Sequence, residues 1–260
     1  GVVGMDSLRG RIESGTLAAV SVMAANNETG VIQPWQNIAD LCAEAQIPYH
    51  CDAAQWVGKL SVEGLSACTY VTACAHKFGG PKGVGFMLLP EGVVDFRLLN
   101  GGEQEAAHRA GTEDVAGVLA MSAALEHSKL GKAEARDVFI EQIVQAIPGA
   151  ALIGAGTDRL WNTVSMSMPR HQSVRWIRAL EKAGFLLSSG SACSTGKTSV
   201  SEVLLAMGID AAIAGRVLRI SAGLETTTED WQALADALLV TYKLLNEEAD
   251  SMKSQVVSID

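Results

Sequence analysis

The stretch that decides the fold reads Tyr70-Val-Thr-Ala-Cys-Ala-His-Lys77-Phe-Gly-Gly-Pro-Lys-Gly-Val-Gly85. Its first half is apolar, and a His-Lys pair and a glycine-rich turn follow directly. This pattern predicts a buried strand that delivers one amine, that of Lys77, to a site. Lysines that form Schiff bases are partly shielded from water in this way. The alternative is that Lys77 is only the first solvated residue after a strand.

The chain before this stretch alternates apolar strand patterns with a helical pattern. A continuous apolar run over residues 17–25 predicts one strand of a parallel sheet, and residues 47–52 predict another, short strand. Between them, residues 35–45 place apolar side chains at helical spacing. A fourth strand is predicted over residues 83–89, ending before Pro90. This succession is typical of crossover units, so we predict an α/β fold with a mostly parallel sheet flanked by helices.

The composition changes after the fourth strand. Residues 100–112 are polar and contain glycines, which indicates a loop, and residues 113–145 are largely helical with a break near Gly131. We place a domain boundary there and predict a large domain over residues 1–131 and a smaller α+β domain over residues 132–260. The smaller domain is predicted to contain strands over residues 162–168, 185–187 and 217–221 and helices over residues 174–183, 199–207 and 228–247.

Composition narrows the possible partners and the location. The 260 residues carry a net charge of -9, and this acidic balance argues against nucleic acid as a partner. No apolar run of about 18 residues and no signal-peptide pattern occurs, so we predict no membrane span. Five cysteines form an odd set without a Cys-x-x-Cys pair, which argues against a disulfide framework and a zinc site. We therefore predict a cytoplasmic protein without a bound metal.

Asp52 lies where a predicted parallel strand ends, the edge at which open α/β sheets bind ligands. A carboxylate there commonly caps the next helix, and Gln55 would then be an ordinary surface residue. The alternative is that Asp52 holds a proton on the ring nitrogen of a cofactor while Gln55 faces a ring substituent. Lys77 would reach the same place from the neighbouring strand. An aspartate for a pyridinium nitrogen and a Schiff-base lysine are what pyridoxal 5'-phosphate (PLP) needs to act as an electron sink.

Two residues far downstream are further candidates. Cys193 lies in the small, polar segment Ser188-Ser-Gly-Ser-Ala-Cys-Ser-Thr-Gly196. Such a segment can move, as a mobile nucleophile requires, although an incidental exposed thiol is the alternative. Arg219 lies on an alternating strand pattern. It is either an ordinary edge-strand cation or a bidentate clamp for a substrate carboxylate.

Five segments of the chain occur in the order and spacing of a known family. They are Asn26-Asn-Glu-Thr-Gly30, His50-Cys-Asp-Ala-Ala-Gln55, His76-Lys77 with Gly80-Pro-Lys-Gly83, Arg109-Ala-Gly-Thr-Glu113 and Ser188-Ser-Gly-Ser-Ala-Cys-Ser194. In these segments the chain resembles the cysteine desulfurases of the NifS/IscS type, in the class V branch of the fold type I PLP enzymes. The resemblance covers nearly the whole chain and implies that fold, truncated, because the family's N-terminal third has no counterpart here.

The resemblance implies cofactor roles for five residues. Lys77 is the Schiff-base lysine, Asp52 is the partner of the pyridine nitrogen, and Gln55 faces the phenolic oxygen. His76 counts with the catalytic residues and helps to hold the phosphate. Thr112 reaches the phosphate of the cofactor in a partner subunit, so the resemblance also implies a homodimer.

The resemblance also implies a substrate and a reaction. Asn27 and Arg219 bind the carboxylate of L-cysteine, and Cys193 attacks its sulfur. The products are L-alanine and a persulfide on Cys193, which a sulfur-acceptor protein takes for iron-sulfur cluster assembly or thio-modification. Two alternatives stay open. One is another class V enzyme, such as an aminotransferase or a selenocysteine lyase, and the other is a catalytically impaired fragment that acts as a scaffold.

Three positions depart from the family pattern. Cys74 stands where the family has a phosphate-binding serine, and a thiol is a weaker hydrogen-bond donor than a hydroxyl. Gly79 replaces a common aromatic residue, and Ala106 replaces an arginine. Together with the missing N-terminal third, these departures lead us to expect that the 260-residue chain alone binds PLP weakly or not at all.

Overall fold

The chain divides into two compact units. In the computed structural model, the described residues are 1–94, 96–190 and 200–254, and the side chains of 249–254 fall outside the description. The first unit comprises Val2–Asn26 and Ile32–Leu130. The second unit comprises Gly1, Asn27–Val31 and the described residues of Gly131–Asp260.

The first unit is built on a four-stranded sheet with the order β1-β2-β3-β4. Strands β1, β2 and β3 run parallel to one another, and β4 is antiparallel to β3. The predicted α/β fold with a mostly parallel sheet is therefore confirmed. The strands are β1 Val20–Met23, β2 Tyr49–Asp52, β3 Tyr70–Cys74 and β4 Gly85–Leu88.

The two faces of this sheet differ because side chains alternate along a strand. One face, which includes Tyr49, Cys51 and Val71, is buried in the core together with the apolar side of helix α2 (Trp35–Glu44). The other face carries several polar side chains. Imidazole nitrogens of its His50 are 2.9 Å from the hydroxyls of Ser21 and Thr72. Asp52 shares this polar face at the carboxyl end of β2.

Two other helices complete the first unit. Helix α1 (Met5–Glu13) buries only Leu8 and Ile12, and it is not among the helices predicted from the sequence. Helix α3 (Val115–Glu126) begins after Asp114, whose Oδ1 accepts a hydrogen bond from the backbone N–H of Gly117 at 3.0 Å. Much of the apolar surface of α3 is exposed.

The second unit packs helices on a three-stranded antiparallel sheet, which confirms the predicted α+β character. Its core includes the fully buried Trp176 and the rings of Phe139 and Trp231, whose centroids are 4.9 Å apart. The strands are β5 Ala151–Leu152, β6 Thr163–Ser167 and β7 Val217–Ser221, and the helices are α4 Glu134–Ala146, α5 Ser173–Lys182, α6 Glu202–Ala206, α7 Ala211–Ala214 and α8 Thr228–Ser254.

One predicted strand is wrong, and one segment falls in an unexpected place. Residues 185–187 form no strand, and the nearby Ser188 makes only an isolated bridge with Arg219. Asn27–Val31 joins the second unit although it precedes most of the first in sequence. The backbone N–H of Leu160 donates to the carbonyl of Gly30 at 2.8 Å.

Membrane-spanning helices and metal-ligand clusters are both absent from the described part of the chain. None of the helices there combines the length and the apolar character that crossing a bilayer requires. Among the same residues, no group of three or more His, Cys, Asp or Glu side chains is arranged to hold a metal ion.

Candidate active site

Asp52 ends β2 with its side chain exposed. Its Oδ1 accepts a hydrogen bond from the backbone N–H of Ala54 at 2.9 Å. The capping role considered for Asp52 is therefore present, because this bond opens the helical turn in which Val57 N–H donates to Ala53 at 3.0 Å. Oδ2 accepts no hydrogen bond from the described residues, so this exposed carboxylate oxygen can still accept one from a further donor.

Lys77 lies beyond the strand and not at its end. Strand β3 ends at Cys74, and a 3-10 turn over Ala75–Lys77 follows. The backbone N–H groups of Phe78 and Gly80 both donate to the carbonyl of Ala75, at 3.0 and 2.9 Å, and these bonds hold the turn. The side chain of Lys77 is consequently half-buried, which places it between the two alternatives drawn from the sequence.

His76 and Cys74 accompany this turn. The ring of His76 is exposed, and its Nε2 is 3.8 Å from the Sγ of Cys74. Cys74 is half-buried on the same sheet face as Asp52, since both occupy the polar set of alternating positions. A weak thiol donor and an imidazole thus stand near the amine of Lys77 along the chain.

The turn after β2 packs closely against the turn after β3. Gly58 has a φ of 76°, and a Cβ added there would lie 2.2 Å from the Cβ of Phe78. Only a glycine permits such an approach in this conformation. The contact brings the turn that carries Gln55 and Lys59 against the turn that carries Lys77.

Lys59 is a buried neighbour of Gln55 that the sequence does not single out. Its side chain is buried, and its Nζ donates a hydrogen bond to Oε1 of Gln55 at 2.5 Å. Burial, and next the positive charge of Lys77, lowers the pKa of Lys59 to about 8, while Cys74 acts in the opposite direction. The one available signal is that Lys59 follows Gln55 by four positions, a spacing that brings side chains together on a helical turn.

Thr112 lies in the loop between β4 and α3, and its side chain is exposed. Glu105, Ala106 and Ala107 in the same loop have φ values of 51°, 54° and 67°. Three successive left-handed non-glycine residues are costly to hold, at about 1 kcal/mol or more each. The departure at Ala106 therefore lies in a strained backbone segment.

In the second unit, Arg219 of β7 is brought together with Asn27. Its Nη1 donates to the backbone carbonyl of Asn27 at 3.1 Å, and its Nε donates to the Oγ of Ser188 at 3.0 Å. Arg219 and Asn27 are both half-buried. Cys193 lies outside the described residues, so its predicted role stays a prediction.

Glu28, next to Asn27, is a second residue that the sequence does not single out. Its carboxylate is buried and accepts a hydrogen bond from the Oγ of Ser201 at 2.5 Å. A Cβ added to Gly190 would lie 3.7 Å from its Oε2. Glu28 thus lies close to the residues on either side of the segment 191–199.

The comparison with protein families agrees with these features. The family model described as "Aminotransferase class-V" matches residues 1–234. The chain belongs to the class-V aminotransferase family. PLP is the cofactor of this family. The described residues fit PLP, because Lys77 supplies a half-buried amine, Asp52 an open carboxylate oxygen, and Gln55 an amide.

Named relatives give a closer comparison for this class-V chain. It is 35% identical over 247 residues to "Cysteine desulfurase IscS" of Dictyoglomus turgidum, covering 92% of this chain and 62% of that protein. It is 36% identical over 222 residues to "Cysteine desulfurase NifS" of Azotobacter vinelandii, covering 82% and 55%. The chain therefore spans less than two thirds of the length of each.

A solved structure shows the same fold. The NifS-like protein of Rickettsia africae superimposes with a TM-score of 0.81 at 23% identity, over 94% of this chain and 67% of that one. The class-V chain therefore has the fold type I architecture, which confirms the fold that the sequence resemblance implies.

Proposed function

We propose that this chain acts as a PLP-dependent cysteine desulfurase. It would remove sulfur from L-cysteine to give L-alanine and a persulfide on the enzyme. The observation that carries the proposal is the close packing of the Gln55–Lys59 turn against the turn of Lys77, next to the strand that ends in Asp52. The identity of 35–36% to two named cysteine desulfurases supports it.

The residues of the first unit would bind and orient the cofactor. The amine of Lys77 would hold PLP covalently, and the open Oδ2 of Asp52 would accept a hydrogen bond from the ring N–H and so keep the ring nitrogen protonated. The amide of Gln55 would donate to the phenolic oxygen, while His76 and Cys74 would face the phosphate. Because a thiol donates weakly, we expect Cys74 to reduce the affinity for the phosphate. When bound, PLP supplies an electron sink that weakens the carbon–sulfur bond of cysteine.

The residues of the second unit would act on the substrate. Arg219, oriented by its bonds to Asn27 and Ser188, would bind the carboxylate of L-cysteine. The thiolate of Cys193 would attack the substrate sulfur. A sulfur–sulfur bond forms as the carbon–sulfur bond breaks, its electron pair stays with the carbon, and a proton there completes L-alanine. The persulfide would then pass to a sulfur-acceptor protein for iron-sulfur cluster assembly or thio-modification.

We also propose that the chain forms a homodimer in the cytoplasm. Helix α3 exposes Val115, Val118 and Leu119, with Val115 and Leu119 more than 60% exposed, and such apolar surface favours a protein partner. Thr112, exposed just before this helix, would serve the cofactor of the partner subunit. The free state of Cys42, Cys51, Cys68 and Cys74 is in keeping with a reducing compartment.

The test is to supply saturating PLP, L-cysteine and an excess of a thiol reductant, which reduces the persulfide and releases its outer sulfur as sulfide, and to measure alanine and sulfide. We expect both products in equal amounts, none from Lys77→Ala, and none from Cys193→Ala. A plain aminotransferase would keep its transamination in Cys193→Ala, and a selenocysteine lyase would prefer selenocysteine. Absence of both products from the wild type, together with no covalent PLP on Lys77, would favour the scaffold alternative and contradict the proposal.

A further inference from the structure

Lys59 is a buried cation that none of the roles above uses. Its side chain is 7% exposed, and lysine is among the residues that are least often buried. Removing an ammonium from water costs free energy unless hydrogen bonds or nearby charges compensate for the lost hydration. The Nζ of Lys59 donates a hydrogen bond to Oε1 of Gln55 at 2.5 Å.

This hydrogen bond fixes the orientation of the Gln55 carboxamide, with its oxygen toward Lys59. An ammonium has donors only, so it faces the amide oxygen and not the amide nitrogen. The NH2 group is then directed away from Lys59. Without Lys59 the amide can rotate by half a turn, because its two ends differ little in shape. A cation that binds the carbonyl oxygen therefore keeps the glutamine NH2 group oriented to donate a hydrogen bond to an anionic ring oxygen.

We propose that Lys59 is a positioning residue, whose ammonium holds the Gln55 carboxamide so that its NH2 group donates to the phenolic oxygen of PLP. This inference rests on the proposed function, which assigns that oxygen to Gln55. Lys59 itself touches neither substrate nor cofactor and acts through Gln55. The glycine at position 58 permits this, since it lets the turn carrying both residues approach Phe78.

Electrostatics support the same arrangement. Lys77 lies in the turn after β3, and Cys74 is the last residue of β3. Both act electrostatically on Lys59. The pKa of Lys59 is lowered to about 8, mainly by burial and next by the charge of Lys77. At neutral pH the group is consequently still mostly protonated, and a charged donor makes a hydrogen bond roughly twice as strong as a neutral one. The orienting effect should weaken as Lys59 loses its proton.

The first experiment needs no cofactor. The side-chain amide of Gln55 is followed by 15N NMR while pH is raised. We expect its signals to move with a midpoint near the pKa of Lys59, about 8, and to stop titrating in Lys59→Met. Methionine has a similar length and introduces no buried charge, so the variant should fold. Gln55 signals that ignore pH in the wild type would overturn the inference.

The second experiment is a double-mutant cycle on PLP affinity with Lys59→Met, Gln55→Met and the double variant. When Gln55 is present, we expect Lys59→Met to weaken PLP binding about tenfold. In the Gln55→Met background, the same substitution should weaken binding by less than about twofold. Lys59→Arg, which keeps charge and donors, should restore part of the loss. Lys129→Met, which removes an exposed lysine of the same unit, is the matched control and should leave affinity unchanged.

Borohydride reduction and peptide mapping of PLP on Lys77 separate the two proposals. If PLP attaches to Lys77 but the effects of Lys59→Met and Gln55→Met simply add, only the positioning role is wrong. If PLP does not attach to Lys77 in the wild type, the proposed function fails, and the positioning role falls with it. Labelled Lys77 together with non-additive effects supports both.

Discussion

Gly58→Ala tests whether the turns that follow β2 and β3 pack together as described. At the φ of 76° an alanine adopts a left-handed conformation, which costs about 1–2 kcal/mol. The new methyl group would lie 2.2 Å from the Cβ and 3.0 Å from the Cγ of Phe78. A Cβ cannot swing aside by rotamer change, so the backbone of one turn must shift, at a further cost of about 1–3 kcal/mol. We expect a total loss of about 2–5 kcal/mol in the free energy of unfolding.

The chain offers a matched control in Gly15→Ala. Gly15 has a φ of 67°, and a Cβ added there meets no atom within 4 Å. This variant therefore bears only the conformational cost, about 1–2 kcal/mol. The difference between Gly58→Ala and Gly15→Ala isolates the steric contact with Phe78.

Urea unfolding followed by circular dichroism measures both changes, and PLP labelling of Lys77 reports on the site. We expect Gly58→Ala to be destabilised by at least about 1 kcal/mol more than Gly15→Ala and to lose labelling of Lys77. Equal destabilisation of the two variants would refute the close packing of the two turns. The juxtaposition of Lys59 with Lys77 would then also lack its structural cause.

Three further predictions concern both units. The pKa of Lys59 is about 8 in the folded chain and 10.5 for an ordinary lysine. Between pH 8 and 10.5 the unfolded chain therefore binds more protons than the folded chain. The free energy of unfolding should consequently rise with pH in this window, by up to about 3 kcal/mol. Urea titrations across this window should show a smaller rise for Lys59→Met, and identical slopes would contradict the burial of a titrating amine. Ser201→Ala removes a donor from the buried carboxylate of Glu28 and should cost about 1–3 kcal/mol in urea unfolding; a neutral effect would mean that this bond is unimportant. Arg219→Lys replaces a planar fork, which reaches Asn27, by a single point charge and should raise KM for L-cysteine about tenfold, whereas an unchanged KM would exclude it from carboxylate binding.

Several elements of the first unit follow from the sequence because their patterns are local. The predicted helix over residues 35–45 matches α2 to within one residue, and the apolar first half of the stretch from Tyr70 contains β3. The antiparallel direction of β4 can also be deduced from the sequence. Parallel neighbours need a crossover of about a dozen residues or more, and only residues 75–84 separate β3 from β4. The short connection therefore requires the antiparallel pairing that is observed.

Other features depend on tertiary packing and leave no local pattern. The apolar run over residues 185–187 has no strand partner, and Leu186 is 87% exposed, so hydrophobic character alone predicted the wrong element. Lys59 is buried, and it follows Gly58 in a turn that closely approaches Phe78. Glu28 likewise becomes a buried acceptor through Ser201, which is 173 residues away in sequence. A short window of sequence around Lys59 contains Gln55 but not Phe78, and one around Glu28 does not contain Ser201.

The division at Asn27 changes how the candidate residues should be grouped. In sequence order Asn27 belongs with Asp52 and Lys77, and the domain prediction placed all three in the large domain. The structure groups Asn27 with Arg219, which donates to its carbonyl, in the second unit. Each proposed task is thus held by contacts within one unit: cofactor binding by the turns after β2 and β3, and carboxylate binding by β7 with the segment Asn27–Val31. Substitutions should therefore separate by task, with Lys59 variants changing PLP affinity and Arg219 variants changing KM.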